Sequence, residues 1–294
     1  MKHAVLGVGA IGGLIGTALA ALDEPVTLIV RPEKLAAFPD RLTLEQPNDT
    51  VTASAPAASQ LSQPVDVLWI ATKTYQLQSA LDSIAAAPGI VIPLLNGVDH
   101  LAVLRARFGY GRVIPATIAV GADRLAEGRF RQGSPVRLNV ATGGKALLAG
   151  LLQRLHERFG FLCAFIQNEQ TLLWTKLSFL APFALVTSAS GLDKGGVLEN
   201  PQWRGVLDSA IAETLSVARA EGAEVSQSHI QEILDTSPDN MRSSMLKDLI
   251  AGRPLELDGI GGPIVRQGEK HGIPVPTTKK LMDIVGAKVR ARVA

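Results

Sequence analysis

Lys176 stands in Leu172-Leu173-Trp174-Thr175-Lys176-Leu177 and is the single positive charge of residues 169–187. An ammonium inside an apolar helix is unfavourable unless it is paired or faces a cavity. Desolvation lowers the pKa of such a lysine. It can then hand a proton to a carbonyl oxygen as hydride reaches the carbon. A lysine that snorkels along the helix surface gives the same sequence, and spacing does not choose between the two. Glu256, in Pro254-Leu255-Glu256-Leu257-Asp258, reads either as a first-turn dipole partner or as a carboxylate that orders Lys176 or a ribose hydroxyl. Ser243 and Ser244 offer hydroxyls for a carboxylate, or simply a polar first turn.

A second group of residues is suited to a dinucleotide. Gly7-Val8-Gly9-Ala10-Ile11-Gly12 follows an apolar strand at residues 3–6 and opens a small-residue helix at 10–22. The first glycine makes the tight turn and the second admits a diphosphate to the backbone. The third lets helix and strand close, while the helix N-terminus, including Ala10 and Ile11, presents free N–H groups. A strand at 26–30 then ends at Arg31. A carboxylate at that point would read a ribose 2′-hydroxyl. An arginine can clamp a 2′-phosphate, so NADP is expected rather than NAD unless Arg31 is only a solvated residue before Pro32.

These side chains need a frame. Strands expected at 65–71 and 90–95 and helices at 76–86 and 100–108 continue the alternation, which is the pattern of a parallel, doubly wound sheet. In such a sheet the strand C-termini share one edge. Three loops leave it: the glycine turn, Thr72-Lys73-Thr74-Tyr75-Gln76, and Asn96-Gly97. Lys73 is suited to a phosphate or a substrate carboxylate, Gln76 to the cofactor, and Asn96 to the nicotinamide ribose or a substrate carbonyl. The plain alternatives are a solvated charge, a helix cap and an ordinary turn. Residues 113–140 read as an antiparallel extension, 145–158 as a helix, and 161–166 as the strand that closes the sheet. After Gln167 the pattern is helical: 169–187, 201–221, a helix capped by Ser226, 240–250, 255–271 and 277–289. The expected fold is therefore α/β, an N-terminal Rossmann-type doubly wound sheet with an all-α C-terminal domain. Residues 1–167 form the NADP-binding domain and 168–294 the helical substrate and catalytic domain, with ligands in the crevice between them.

Residues 4–22 carry no charge, so a secretory signal or a membrane span is a rival reading. Glycines at 7, 9, 12, 13 and 16 weaken a continuous helix, by about 1 kcal/mol each relative to alanine, and oppose it. The net charge of +2, with basic residues scattered along 294 positions, gives no nucleic-acid footprint. Cys163 is the only cysteine, which excludes an intrachain disulfide, and it reads as a small core residue. The five histidines lack metal-ligand spacing, so no metal site is expected. The class expected is a cytoplasmic enzyme acting on a small molecule, with neither nucleic acid nor membrane as partner. A homodimer is an open expectation that the sequence does not decide.

The set Gly7-Val8-Gly9-Ala10-Ile11-Gly12-Gly13, Arg31, Thr72-Lys73-Thr74-Tyr75-Gln76, Leu95-Asn96-Gly97-Val98, Trp174-Thr175-Lys176-Leu177, Ser243-Ser244-Met245-Leu246-Lys247-Asp248 and Glu256-Leu257-Asp258 resembles the ketopantoate reductase (2-dehydropantoate 2-reductase) family over essentially the whole chain. Members reduce a 2-oxo acid with NADPH in pantothenate biosynthesis. The resemblance implies Lys176 as general acid and Asn96 and Glu256 as its supporting polar groups. It implies Ser244, with Lys176, on the substrate, and Arg31, Lys73, Gln76, Asn96 and the glycine turn on the cofactor. The family usually carries asparagines where this chain has Leu180 and Ala184, and Asn-Gly where it has Gly261-Gly262. At helical spacing Lys176, Leu180 and Ala184 share a face, which is apolar here. Lost hydrogen-bond partners of this kind change substrate discrimination by up to about 10⁴. A different 2-oxo acid, or an NADP(H)-binding protein without turnover, is the alternative to ketopantoate reduction. An NAD-linked dehydrogenase is a third, which Arg31 opposes.

Overall fold

The computed structural model describes residues 1–293, with side chains through Arg292. The chain divides into two compact units, Met1–Leu95 with His100–Gln167, and Asn96–Asp99 with Asn168–Ala294.

In the first unit β1 (His3–Leu6) runs into α1 (Ala10–Ala21) and β2 (Val26–Ile29), and a short α2 (Pro32–Leu35) follows. β3 (Arg41–Gln46) and β4 (Asp49–Ser54) form an antiparallel hairpin. β5 (Ala57–Ala58), β6 (Val65–Ile70), α3 (Leu77–Leu81), β7 (Pro88–Pro93) and α4 (His100–Phe108) come next. The central sheet is all parallel, in the order β5-β2-β1-β6-β7. This is the Rossmann-like arrangement expected from the alternating pattern. β1 is buried along its whole length, as befits a central strand paired in parallel on both sides.

The next strands, β8 (Ala116–Ala119), β9 (Ala122–Ala126), β10 (Arg129–Gln132) and β11 (Arg137–Ala141), precede α5 (Lys145–Phe159) and β12 (Leu162–Ile166). The expected single antiparallel extension is instead split. β9 and β10 join the β3–β4 hairpin in a four-stranded sheet, while β8, β11 and β12 make a separate three-stranded one. The β3–β4 hairpin, with its Pro47-Asn48 turn and its buried Leu42, Leu44 and Val51, adds to the elements expected from the sequence. Strand β12 closes the three-stranded sheet rather than the central one. The chain bridges β7 at Val113, where Ile114 N–H donates to Val91 O, but the next β7 position facing it is Pro93, which has no N–H to extend that ladder. The helix expected over 76–86 is only a 3-10 turn (Thr74–Gln76) followed by α3, because Ser83 to Ala86 are drawn into backbone bonds with Leu61. Cys163 lies half-buried on the edge strand β12 rather than in the core, and burial pushes its thiol up to about 11.

The small residues of α1 let two sheets close on one helix. A Cβ on Gly16 would meet Leu28 of β2, and one on Gly13 would fall inside the Phe130 ring of β10.

The second unit begins at Asn168, whose side chain accepts the Thr171 N–H at 2.9 Å and caps α6 (Glu169–Ser190). There follow α7 (Lys194–Glu199), α8 (Pro201–Ala220), α9 (Gln227–Thr236), α10 (Ser244–Ile250), α11 (Leu257–His271) and α12 (Pro276–Val293). The short α7, capped by the Asp193 side chain, is an addition to the expected helices. The helix expected from residue 240 begins only at Ser244, because the preceding loop is held to α7 by Lys194 N–H to Met241 O and Gly195 N–H to Asp239 O. By length and composition α6 could cross a membrane, yet most of it is buried within the helical unit. Leu177, Ala184, Leu185 and Val186 of α6 pack with Leu207, Ile211, Ile260, Ile264 and Val285 in one apolar cluster.

Candidate active site

The glycine turn of the first unit is built from close backbone approaches. Gly7 has φ +89°, a conformation that favours glycine, and a Cβ there would lie 2.7 Å from Thr72 Cγ2. A Cβ on Gly12 would overlap the Gly7 carbonyl oxygen, so the start of α1 is seated on the turn itself. Gly9 differs, since nothing lies within 4 Å of a Cβ placed there. It is the N-cap of α1, with no side-chain cap and no acid in the first turn. Open backbone, uncapped N–H groups and a positive helix end together suit a diphosphate. Thr72 Oγ1 is buried beside this turn without a hydrogen-bond partner, an orphan polar atom that a ligand can satisfy.

Arg31 lies just past β2, about two-thirds exposed, 3.3 Å from an equally exposed Glu33. An exposed pair of this kind contributes little, so the guanidinium is readily released to a phosphate. Lys73 is the N-cap residue of the 3-10 turn after β6 and Gln76 ends it, both half-buried, on the same strand-end edge as the glycine turn.

The second unit holds the proton-handling group. Lys176 Nζ donates to Asn96 Oδ1 at 2.9 Å, and Asn96 Nδ2 donates to Glu256 Oε2 at 3.1 Å. The asparagine thus bridges a cation and an anion. Its amide orientation is dictated, since only the oxygen can face the ammonium and only the NH₂ the carboxylate. Burial lowers Lys176 from its ordinary 10.5 to about 8, against the raising effect of Glu256. The residue as a whole keeps intermediate exposure, so the lowering belongs to the desolvated ammonium rather than to a sealed side chain. Glu256 is buried and serves as the N-cap residue of α11.

Asn96 therefore belongs with the helical unit, although it follows β7 directly. Gly97 explains how. It has φ +77°, and a Cβ there would overlap the Gly259 carbonyl oxygen in the first turn of α11. The loop is pressed against the same turn that carries Glu256. Sequence reasoning had no sign of that contact beyond the Asn-Gly pair.

Ser244 is exposed as the first residue of α10 and stands outside the Lys176–Asn96–Glu256 chain. Its neighbour Ser243 is buried. It accepts the Leu246 N–H and shares a 2.7 Å hydrogen bond with Thr187 of α6.

Two family profiles match the chain, "Ketopantoate reductase PanE/ApbA" over residues 3–144 and "Ketopantoate reductase PanE/ApbA C terminal" over 168–289. A 2-dehydropantoate 2-reductase of Mycobacterium tuberculosis is 30% identical over 237 residues, 78% of each chain. The chain belongs to the ketopantoate reductase family. The family's 2-dehydropantoate 2-reductase of Caulobacter vibrioides is 29% identical over 296 residues, covering 97% of this chain and 98% of that one. The crystal structure of a PanE/ApbA family ketopantoate reductase from Ralstonia eutropha superposes with a TM-score of 0.88 at 27% identity, over 100% of both chains. As a member, the chain is an oxidoreductase that uses a nicotinamide dinucleotide on a CH–OH group or its carbonyl.

Leu180, Ala184 and Gly261 are the positions at which the resemblance leads one to expect asparagine. Leu180 is half-buried and packs against the apolar cluster, and Ala184 lies entirely inside it. A Cβ on Gly261 would lie 2.7 Å from Met282 Sδ, so methionine occupies the space an asparagine side chain needs.

Proposed function

We propose that this protein reduces a 2-oxo acid to the 2-hydroxy acid with NADPH, ketopantoate being the first substrate to test. Residues 1–167 serve as the cofactor domain and 168–294 as the catalytic domain. The reading is carried by the Lys176–Asn96–Glu256 chain, a protonated group poised near neutral pH and fixed by one amide.

A reduced nicotinamide supplies hydride when bound. The residues of this chain supply the proton and the fixed polarity. Lys176 at about 8 is mostly protonated at neutral pH and gives its proton to the former carbonyl oxygen as C2 gains hydride. The lysine is left neutral, and solvent returns the proton. Asn96 fixes the ammonium in direction, and Glu256 favours its charged form. Gly7, Gly9, Gly12 and the N–H groups of Ala10 and Ile11 fit the diphosphate, while Arg31, Lys73 and Gln76 serve the rest of the cofactor. Arg31 supports NADP over NAD because a guanidinium can grip a 2′-phosphate bidentately. Ser244 is assigned to the substrate carboxylate. We place the enzyme in the cytoplasm, as a homodimer.

The apolar stretch at Leu180 and Ala184 favours a second reading, the same chemistry on a less polar 2-oxo acid. Steady-state NADPH oxidation with ketopantoate and a panel of branched and aromatic 2-oxo acids decides between them, with NADH in parallel. Lys176→Ala is the control. No turnover with any member of the panel, alongside NADPH binding that Lys176→Ala leaves intact, would sink the reductase reading in favour of a binding protein.

A further inference from the structure

The loop that carries Asn96 is fastened at both ends of a four-residue span, and only one fastening is the Gly97 contact. At the other, Arg266 of α11 donates from Nε and Nη2 to Asp99 Oδ2 at 3.1 and 2.5 Å. Its Nη1 donates to Asp258 Oδ1 at 2.7 Å, and Nη2 reaches the Asp258 carbonyl. Asp258 is two residues from Glu256, in the first turn of the same helix. One guanidinium therefore joins the far end of the Asn96 loop to the turn that holds the carboxylate partner of Asn96. A Cβ on Gly262 would lie 2.5 Å from both Arg266 Nη2 and Asp258 Oδ1, so a glycine at that position leaves the arginine room to fold back along α11.

We infer that Arg266, with Asp99 and Asp258, is a positioning clamp that holds Asn96 between Lys176 and Glu256. This rests on the proposed role of Lys176. Isolated exposed ion pairs contribute little, and these side chains are about two-fifths exposed or more. The clamp differs because a planar fork meets two carboxylates and ties residues 167 positions apart in the chain. It acts on geometry, where misplacement by about 1 Å can lower a rate 10²-fold. The charged groups concerned are Glu256 beside the ammonium, and Asp99 and Asp258 around the guanidinium.

Two readouts test it on the full chain. Competitive labelling with acetic anhydride gives the titration midpoint of Lys176 without turnover, and kcat is measured on NADPH oxidation. Asn96→Ala is expected to move the midpoint, and Arg266→Met to move it in the same direction. The kcat of Arg266→Met should fall roughly ten- to a hundredfold, with little change in the KM for NADPH. Arg266→Lys should recover part of the loss. Combining Arg266→Met with Asn96→Ala should be no worse than Asn96→Ala alone, because the clamp acts through that amide. Asp99→Asn and Gly262→Ala weaken the same clamp with smaller changes and serve if Arg266→Met does not fold. A midpoint unmoved by the clamp variants or by Asn96→Ala, or losses that multiply in the double variant, overturns the proposal. A wild-type protein without turnover overturns the reductase reading instead, and the labelling arm still judges the clamp.

Discussion

A lysine that works as an acid must be protonated when needed and reluctant to stay so. Lys176 meets both conditions because desolvation and Glu256 act on it in opposite senses, leaving it at about 8. Reduction should therefore weaken as pH rises through about 8, and oxidation of the hydroxy acid should strengthen over the same range. Both follow from kcat/KM profiles in the two directions. Lys176→Ala should lower kcat by about 10²- to 10⁴-fold, the usual contribution of a positioned acid, without loss of cofactor binding by calorimetry. Arg31 acts on a different quantity. Arg31→Ala should raise the KM for NADPH by roughly ten- to a hundredfold, the scale of a charge-assisted hydrogen bond, and leave NADH unchanged. Equal effects on the two coenzymes would remove Arg31 from the 2′-phosphate.

At the scale of elements, glycines decide which backbones can meet. Gly9 and Gly12 stand three residues apart at the start of α1 and predict opposite behaviour. Gly9→Ala meets nothing in the fold, so the melting temperature of the free protein should hold while NADPH binding is lost. Gly12→Ala would strike the Gly7 carbonyl and should lower the melting temperature with or without cofactor. Gly97→Ala combines a positive φ with overlap at Gly259. Strain of about 1–3 kcal/mol should push the loop off α11 and separate Asn96 from Glu256. Loss of activity with retained helical circular dichroism is the expected result.

For the whole molecule, the same lysine links folding to pH with a sign opposite to that of catalysis. The folded protein releases the Lys176 proton near pH 8, whereas the unfolded chain keeps it to its ordinary 10.5. Between these values the unfolded state binds more protons, so stability rises with pH. Cys163 opposes this at higher pH, because its folded thiol is raised from 9.0 to about 11. The rise should be clearest between these onsets, in urea titrations of wild type against Lys176→Met, which should not show it. Cofactor binding adds a separate increment, about 2.7 kcal/mol at a hundred times Kd.

The sequence by itself determined the parallel sheet, the glycine turn and the helical character beyond Gln167, because these follow from periodicity and from local backbone demands. It also carried the family, through motifs spread along the chain. It did not determine which sheet each strand after Val113 joins, since pairing depends on partners distant in the chain and on one proline. Nor did it place Asn96 against Lys176 and Glu256, which are 80 and 160 residues away. Only the tertiary structure decided that, through a backbone approach at Gly97 that leaves no periodic trace.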